Sequence, residues 1–180
     1  MFPKINKNKL MLGKFLANLT LMFCIVILYY LILNYCTLLI YNAVIPESYP
    51  SLGIAIIFTI TLSTSIIFFS TILPRVSFVF IVVISLYLIG FPVLEQLITI
   101  IDQEIEPIFS LQYIGNLINH TIPGGLPVGQ RWIFVYYAGE ELPPVKVWLT
   151  PTPEVAILVM TIYSLLFFLC MVLILKRKEL

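Results

Sequence analysis

The stretch Leu52–Ile98, LGIAIIFTITLSTSIIFFSTILPRVSFVFIVVISLYLIGFPVLEQLI, decides the fold. It holds two apolar runs, 52–73 and 77–98, with little between them but Pro74-Arg75. A hydrocarbon core about 30 Å thick needs about 20 helical residues. Each run is therefore long enough to cross a bilayer, and so short a connection predicts an antiparallel hairpin. Working outward, two further runs of the same kind, 16–41 and 154–175, flank this pair. The chain has 180 residues, 61% of them hydrophobic and 11% charged, with a mean hydropathy of +1.06. A soluble domain is usually about 45–50% apolar. The expected class is an all-α integral membrane protein with four transmembrane helices.

Charge orients the bundle. With the N-terminus in the cytoplasm, Lys4, Lys7, Lys9, Lys14, Arg75, Lys176, Arg177 and Lys178 all fall on the cytoplasmic side, and only Arg131 and Lys146 fall outside. The positive-inside rule favours this arrangement and disfavours its inverse. It predicts a multi-pass protein of the cell membrane with both termini cytoplasmic. Residues 1–15 form an amphipathic lead-in, 16–98 three spans, 99–153 an external loop, and 154–180 the fourth span with a basic tail. A net charge of +1, with the lysines split between two short ends, excludes nucleic acid as a partner. The lysines are expected to meet anionic lipid or a cytoplasmic protein.

Polar residues inside a span usually face other helices. In the first span these are Asn18, Thr20 and Asn34. The second carries Thr59, Thr61, Ser63, Thr64, Ser65, Ser70 and Thr71. Its large apolar residues, at roughly −0.5 kcal/mol each, pay for those hydroxyls and mark it as a packing helix. Gly90 and Pro92 predict a kink near the outer end of the third span. After Pro107, residues Leu111, Ile114, Leu117 and Ile118 share one helical face. That predicts a helix at about 108 to 120, too short to span, which lies in the outer interface or dips into it. Two strand-like pieces follow, Trp132–Tyr137 and Val145–Leu149, whose aromatics suit a hairpin at headgroup level. Thr152-Pro153-Glu154 is a helix start.

The residues that chemistry would need are sparse. Cys24, Cys36 and Cys170 lie in predicted spans without ligand spacing, which predicts buried, inert thiols and no metal site. His120 is the sole histidine and Asp102 the sole aspartate, so this chain alone supplies no haem pair, copper triad, serine–histidine relay or aspartyl dyad. Gly13-Lys14 is not a phosphate loop, because Asn8 stands where the earlier glycine belongs and Phe15 where a hydroxyl should bind magnesium. No catalytic residue, cofactor or metal is expected. Asn119-His120-Thr121 matches the acceptor pattern for N-glycosylation on the external side. No span carries a formal charge at its centre, as ion-coupled carriers normally need; Glu95, near the outer end of the third span, is the nearest candidate, and its favoured reading is a boundary residue.

The segment FPKINKNKLMLGKFLAN, Phe2 to Asn18, resembles an element of permease subunits of type-2 ATP-binding-cassette exporters. In that family a proline and basic residues precede Leu-Gly-Lys at the cytoplasmic start of the third of six spans, as Leu12-Gly13-Lys14 does here. The closing Leu175-Lys176-Arg177-Lys178-Glu179-Leu180 is similar to the family's terminal helix. The order of crossings agrees as well, including a short external helix before the last span. The resemblance implies a four-span C-terminal portion, with the family's first two spans supplied by a further membrane subunit. It also implies that Lys9, Gly13 and Lys14 belong to a segment docking onto an ATP-binding subunit.

Two functions are therefore expected as alternatives. One is the membrane-spanning component of an ATP-driven exporter, with ATP hydrolysis confined to the partner. The other is a non-catalytic accessory subunit of a multi-subunit membrane enzyme such as an oxidase or monooxygenase.

Overall fold

A computed structural model describes residues 7–122, 130–135 and 144–177, with side chains from residue 12 onward. Four of its helices are long and apolar enough to cross a membrane, the signature of a multi-pass membrane protein: Leu12–Tyr41, Ser48–Ile72, Val76–Ile101 and Pro153–Arg177. The first belongs to α1, Lys7–Tyr41, which runs without a break from Lys7, inside the expected lead-in, through the expected span. Nothing in Lys7–Lys14 interrupts a helix, since these residues include no proline and one glycine, Gly13. Helix α1 ends where Asn42 takes a left-handed conformation, φ 52°. Asparagine tolerates that region better than most residues do, which suits it to a helix terminus.

Helix α2, Ser48–Ile72, returns alongside α1. The Tyr30 and Ser51 hydroxyls are 2.5 Å apart, and Ser48 donates to Asn34 Oδ1 at 3.0 Å, so the two helices are antiparallel. The third span is built from α3, Val76–Ser85, a π-helical turn, Leu86–Gly90, and α4, Phe91–Ile101. The expected irregularity at Gly90 and Pro92 takes the form of that wide turn, in which the Phe91 N–H donates to the Leu86 carbonyl. Pro92 has no N–H to give the preceding turn, and a single wide turn accommodates it without breaking the helix. Ser65 and Tyr87 hydroxyls 3.3 Å apart join this span to α2 across the hairpin.

Helix α6, Pro153–Arg177, starts at the predicted proline and runs parallel to α2. Thr61 donates to the Met160 carbonyl at 3.1 Å, and seven residues further along both helices Phe68 packs on Phe167. These pairings place the start of α1, the Leu73–Arg75 turn and the end of α6 at one face of the bundle. The other end carries α5, Leu111–His120, and an antiparallel hairpin of β1, Trp132–Val135, and β2, Val145–Trp148, in the register Trp132↔Trp148. Most of the expected hairpin turn, with Tyr136 and Tyr137, lies outside the described residues.

Helix α2 is the hub. It buries Ser51, Thr61, Ser63, Thr64 and Ser65, as expected of a packing helix. The core joins its Ile54 to Leu111, Ile114 and Leu117 of α5, Phe91 of α4, and Ala156 and Met160 of α6. Helix α5 is thus enclosed by α2, α4 and α6. Gly115 permits this approach, since a Cβ there would come within 3.1 Å of the Phe58 ring. The polar residues of α1 divide differently from expectation. Asn34 meets α2, whereas Thr20 turns back to the Leu16 carbonyl of its own helix. Cys24 and Cys36 are exposed rather than buried, because most of the surface of α1 is uncovered.

Candidate functional site

The polar chemistry of the described residues gathers where the segment after α4 folds back under the hairpin. Asp102 ends α4 in an extended conformation, and its carboxylate accepts from the Glu104 N–H at 2.9 Å. The chain then re-enters the bundle. Tyr163 donates to the Phe109 carbonyl at 2.8 Å. Tyr163 lies about 15 Å along α6 from its start at 1.5 Å per residue. Even with its ring leaning towards the helix N-terminus, Phe109 sits below the level at which α6 begins. Non-helical backbone at such a depth is tolerated only where protein encloses it. Here Tyr163 of α6 holds Phe109 and Glu95 of α4 holds Ser110, the α5 that follows packs on α2, α4 and α6, and Ser51 closes its far end by donating to the Ile118 carbonyl at 2.7 Å.

Ser110 is the pivot of this re-entry. Its oxygen caps α5 by accepting from the Tyr113 N–H at 3.2 Å, while its hydroxyl donates to Glu95 Oε1 of α4. One turn later Tyr113, wholly buried, donates to Glu106 at 2.9 Å. Arg131 reaches the same carboxylate with one nitrogen 2.7 Å from each oxygen. Burial first, and then the neighbouring Glu106 carboxylate, push the Tyr113 phenol well above the ordinary tyrosine range, with Arg131 opposing. The hydroxyl is therefore a proton donor at any physiological pH.

The hairpin is pinned to the same loop. Lys146 donates to Glu104 at 2.9 Å, its N–H to the Gln103 side chain at 3.2 Å, and the Trp148 indole to the Gln103 carbonyl at 3.1 Å. The ammonium group lies 4.4 Å from the centre of the Trp148 ring and 5.3 Å from that of Trp132, close enough for cation–π attraction. Arg131 and Lys146, the two cations that depart from the one-sided charge pattern, are thus each held by a carboxylate. Between α4 and β2 a groove of about 710 Å³ remains, lined among others by Glu95, Gln96, Thr99, Ile100, Val147 and Trp148.

Of the residues singled out in the sequence, Glu95 lies within this cluster, and those assigned to docking and glycosylation lie apart from it. Lys9 is within α1, and its side chain is outside those described. Gly13 and Lys14 are exposed near the opposite face, and a Cβ on Gly13 would meet nothing within 4 Å, so no packing contact explains the glycine. Asn119 is exposed in the last turn of α5, at the cap end. Glu95 was legible as a single residue, but its link through Ser110 to Tyr113 was not. One signal was legible: Ser110 directly precedes an apolar-periodic helix and is a good N-cap residue. No family model matches the chain, and neither a curated protein nor a solved structure matches it.

Proposed function

We propose that this chain is the membrane-spanning component of an ATP-driven exporter, coupling a partner ATPase to the movement of substrate across the membrane. The observation that supports this most is the asymmetry of its ends. Lys14, Arg75, Lys176 and Arg177 stand exposed at one face and enter no ion pair among the described residues. At the other face both described cations are paired with carboxylates. Unpaired cations at a membrane surface suit the cytoplasmic side and leave a basic surface for an acidic partner. In this reading both termini are cytoplasmic, the hairpin caps the external side, and the protein resides in the cell membrane. The resemblance around Leu12-Gly13-Lys14 assigns the docking role to the start of α1, and the uncovered flank of α1 offers a surface for the spans of a further membrane subunit.

The test is association. Purified through a C-terminal tag, the chain should bring down an ATP-binding subunit. Lys14→Glu should weaken that association without lowering membrane insertion. Unchanged association at normal expression would reduce Lys14 to an anchoring residue, and recovery with a metal-containing complex lacking ATPase activity would replace the exporter reading with the accessory-subunit one.

A further inference from the structure

We propose that the groove between α4 and β2 is a binding site for an amphiphile with a cationic amine head and an alkyl tail. The inference stands on this chain's geometry alone and does not depend on the exporter reading. Its starting point is an imbalance of charge. Glu104 and Glu106 are each held by a cation of the hairpin, and Asp102 closes a turn in the open. Glu95 has no lysine or arginine within salt-bridge distance among the described residues. A hydroxyl, from Ser110, engages one of its oxygens. It is also the carboxylate that lines the groove. A carboxylate in a helix flanked by lipid is costly without a partner, and an ammonium entering the groove would supply the missing one through charge-assisted hydrogen bonds.

The rest of the wall suits the remainder of such a molecule. Gln96 and Thr99 stand beside Glu95 as further polar groups, while Ile100, Val145 and Val147 offer apolar surface for a tail. Trp148 closes one side, its position fixed by the bond to the Gln103 carbonyl. Pockets for small ligands usually measure about 300–1,000 Å³, mostly apolar with a few convergent polar groups, and a volume of about 710 Å³ falls in that range. Lys146 and Arg131 lie over Trp148 as well, but each is committed to its own carboxylate, so neither neutralises Glu95.

The groove contains its own reporter. The chain has two tryptophans, so Trp132→Phe leaves Trp148 alone in the wall. The full chain carrying that change, in nanodiscs of zwitterionic lipid, would be titrated with a brominated long-chain alkylamine and with the alcohol and carboxylic acid of the same chain length. Bromine quenches Trp148 when the tail lies in the groove. The amine should quench saturably and bind about tenfold or more tighter than the alcohol, as expected for a charge-assisted bond. The acid should bind more weakly than either. Glu95→Gln should erase the preference of amine over alcohol while leaving the helical circular dichroism unchanged. Should that variant fail to fold, Val147→Phe narrows the groove without touching the carboxylate and should weaken both ligands. Equal affinity for amine and alcohol, quenching that never saturates, or a preference that survives Glu95→Gln would each overturn the site. So would cross-linking from Val145→Cys to a partner helix in native membranes, which would show that protein fills the groove.

Discussion

Helices α1 and α2 are both apolar enough to cross a bilayer, yet 39% of the most apolar stretch of α2 is buried and only 6% of that of α1. Hydropathy does not separate them. What differs is the placement of small hydroxyl residues. Helix α2 presents Ser51, Thr61, Ser63 and Ser65 to its neighbours with almost no exposed surface. Helix α1 presents large residues such as Leu31, Ile32 and Leu39 to the outside, and its one well-buried described residue is Tyr30, which meets Ser51. Lipid tails are as apolar as leucine, so apolarity supplies no drive for one helix to pack on another. Close approach and interhelical hydrogen bonds supply it instead. Small side chains permit the first, the Ser51, Thr61 and Ser65 hydroxyls supply the second, and α1, the third span, α5 and α6 assemble against α2.

Deleting the same atoms from both helices should separate them most. Ile54→Ala on α2 opens a cavity against Leu111, Ile114 and Met160, and should destabilise the folded protein by about 2–4 kcal/mol. Ile32→Ala on α1 removes atoms from a side chain that is 53% exposed, and should change stability by less than about 0.5 kcal/mol. Unfolding in mixed micelles by added SDS measures both. Similar losses would mean that the outer flank of α1 is covered by a second copy or another subunit under those conditions.

A smaller effect tests the hydroxyls directly. Ser51→Ala severs the links to Tyr30 and to the Ile118 carbonyl, which join α1, α2 and α5 at one point. Interhelical hydrogen bonds in membranes average about 0.6 kcal/mol and reach about 1.7, so the pair should cost about 1–2 kcal/mol. Thr20→Val on α1 removes a hydroxyl that bonds only within its own helix and should leave the same unfolding curve in place. An equal shift for the two variants would assign α2's role to bulk packing alone.

How much of this was legible follows from which residues carry the information. The four spans were visible because each is a long run whose signal is summed over many residues, and Pro74-Arg75 and Pro153 marked their boundaries. The hydroxyls of α2 pointed to a packing helix for the same reason. Helix α5 was visible as a helix, through Leu111, Ile114 and Leu117, but its depth was not. Depth depends on Gly115 meeting Phe58 and on Tyr163 meeting Phe109, contacts between residues far apart in the chain that no periodicity links. The same holds for the candidate site. Glu95 and Ser110 are brought together only because the chain turns back after Asp102, and nothing local to either residue announces it.

The smallest predicted change carries the comparison beyond the spans, to whether a polar bond on α5 behaves like those on α2. Tyr113→Phe keeps the buried ring and removes only the hydroxyl that donates to Glu106. At neutral pH it should cost about 1 kcal/mol, the usual net worth of one hydrogen bond. Its pH dependence distinguishes this bond from the serine contacts. The folded protein holds the Tyr113 proton more tightly than the unfolded chain does. As pH rises past about 10 the unfolded chain releases that proton first, so the stabilisation is complete below that pH and declines above it. The difference in stability between parent and Tyr113→Phe should therefore be flat up to about pH 9 and shrink at more alkaline pH, other tyrosines cancelling because both proteins contain them. A difference that stayed constant through the alkaline range would show that the phenol is not held as a buried donor, and that Arg131 alone fixes Glu106 beneath the hairpin.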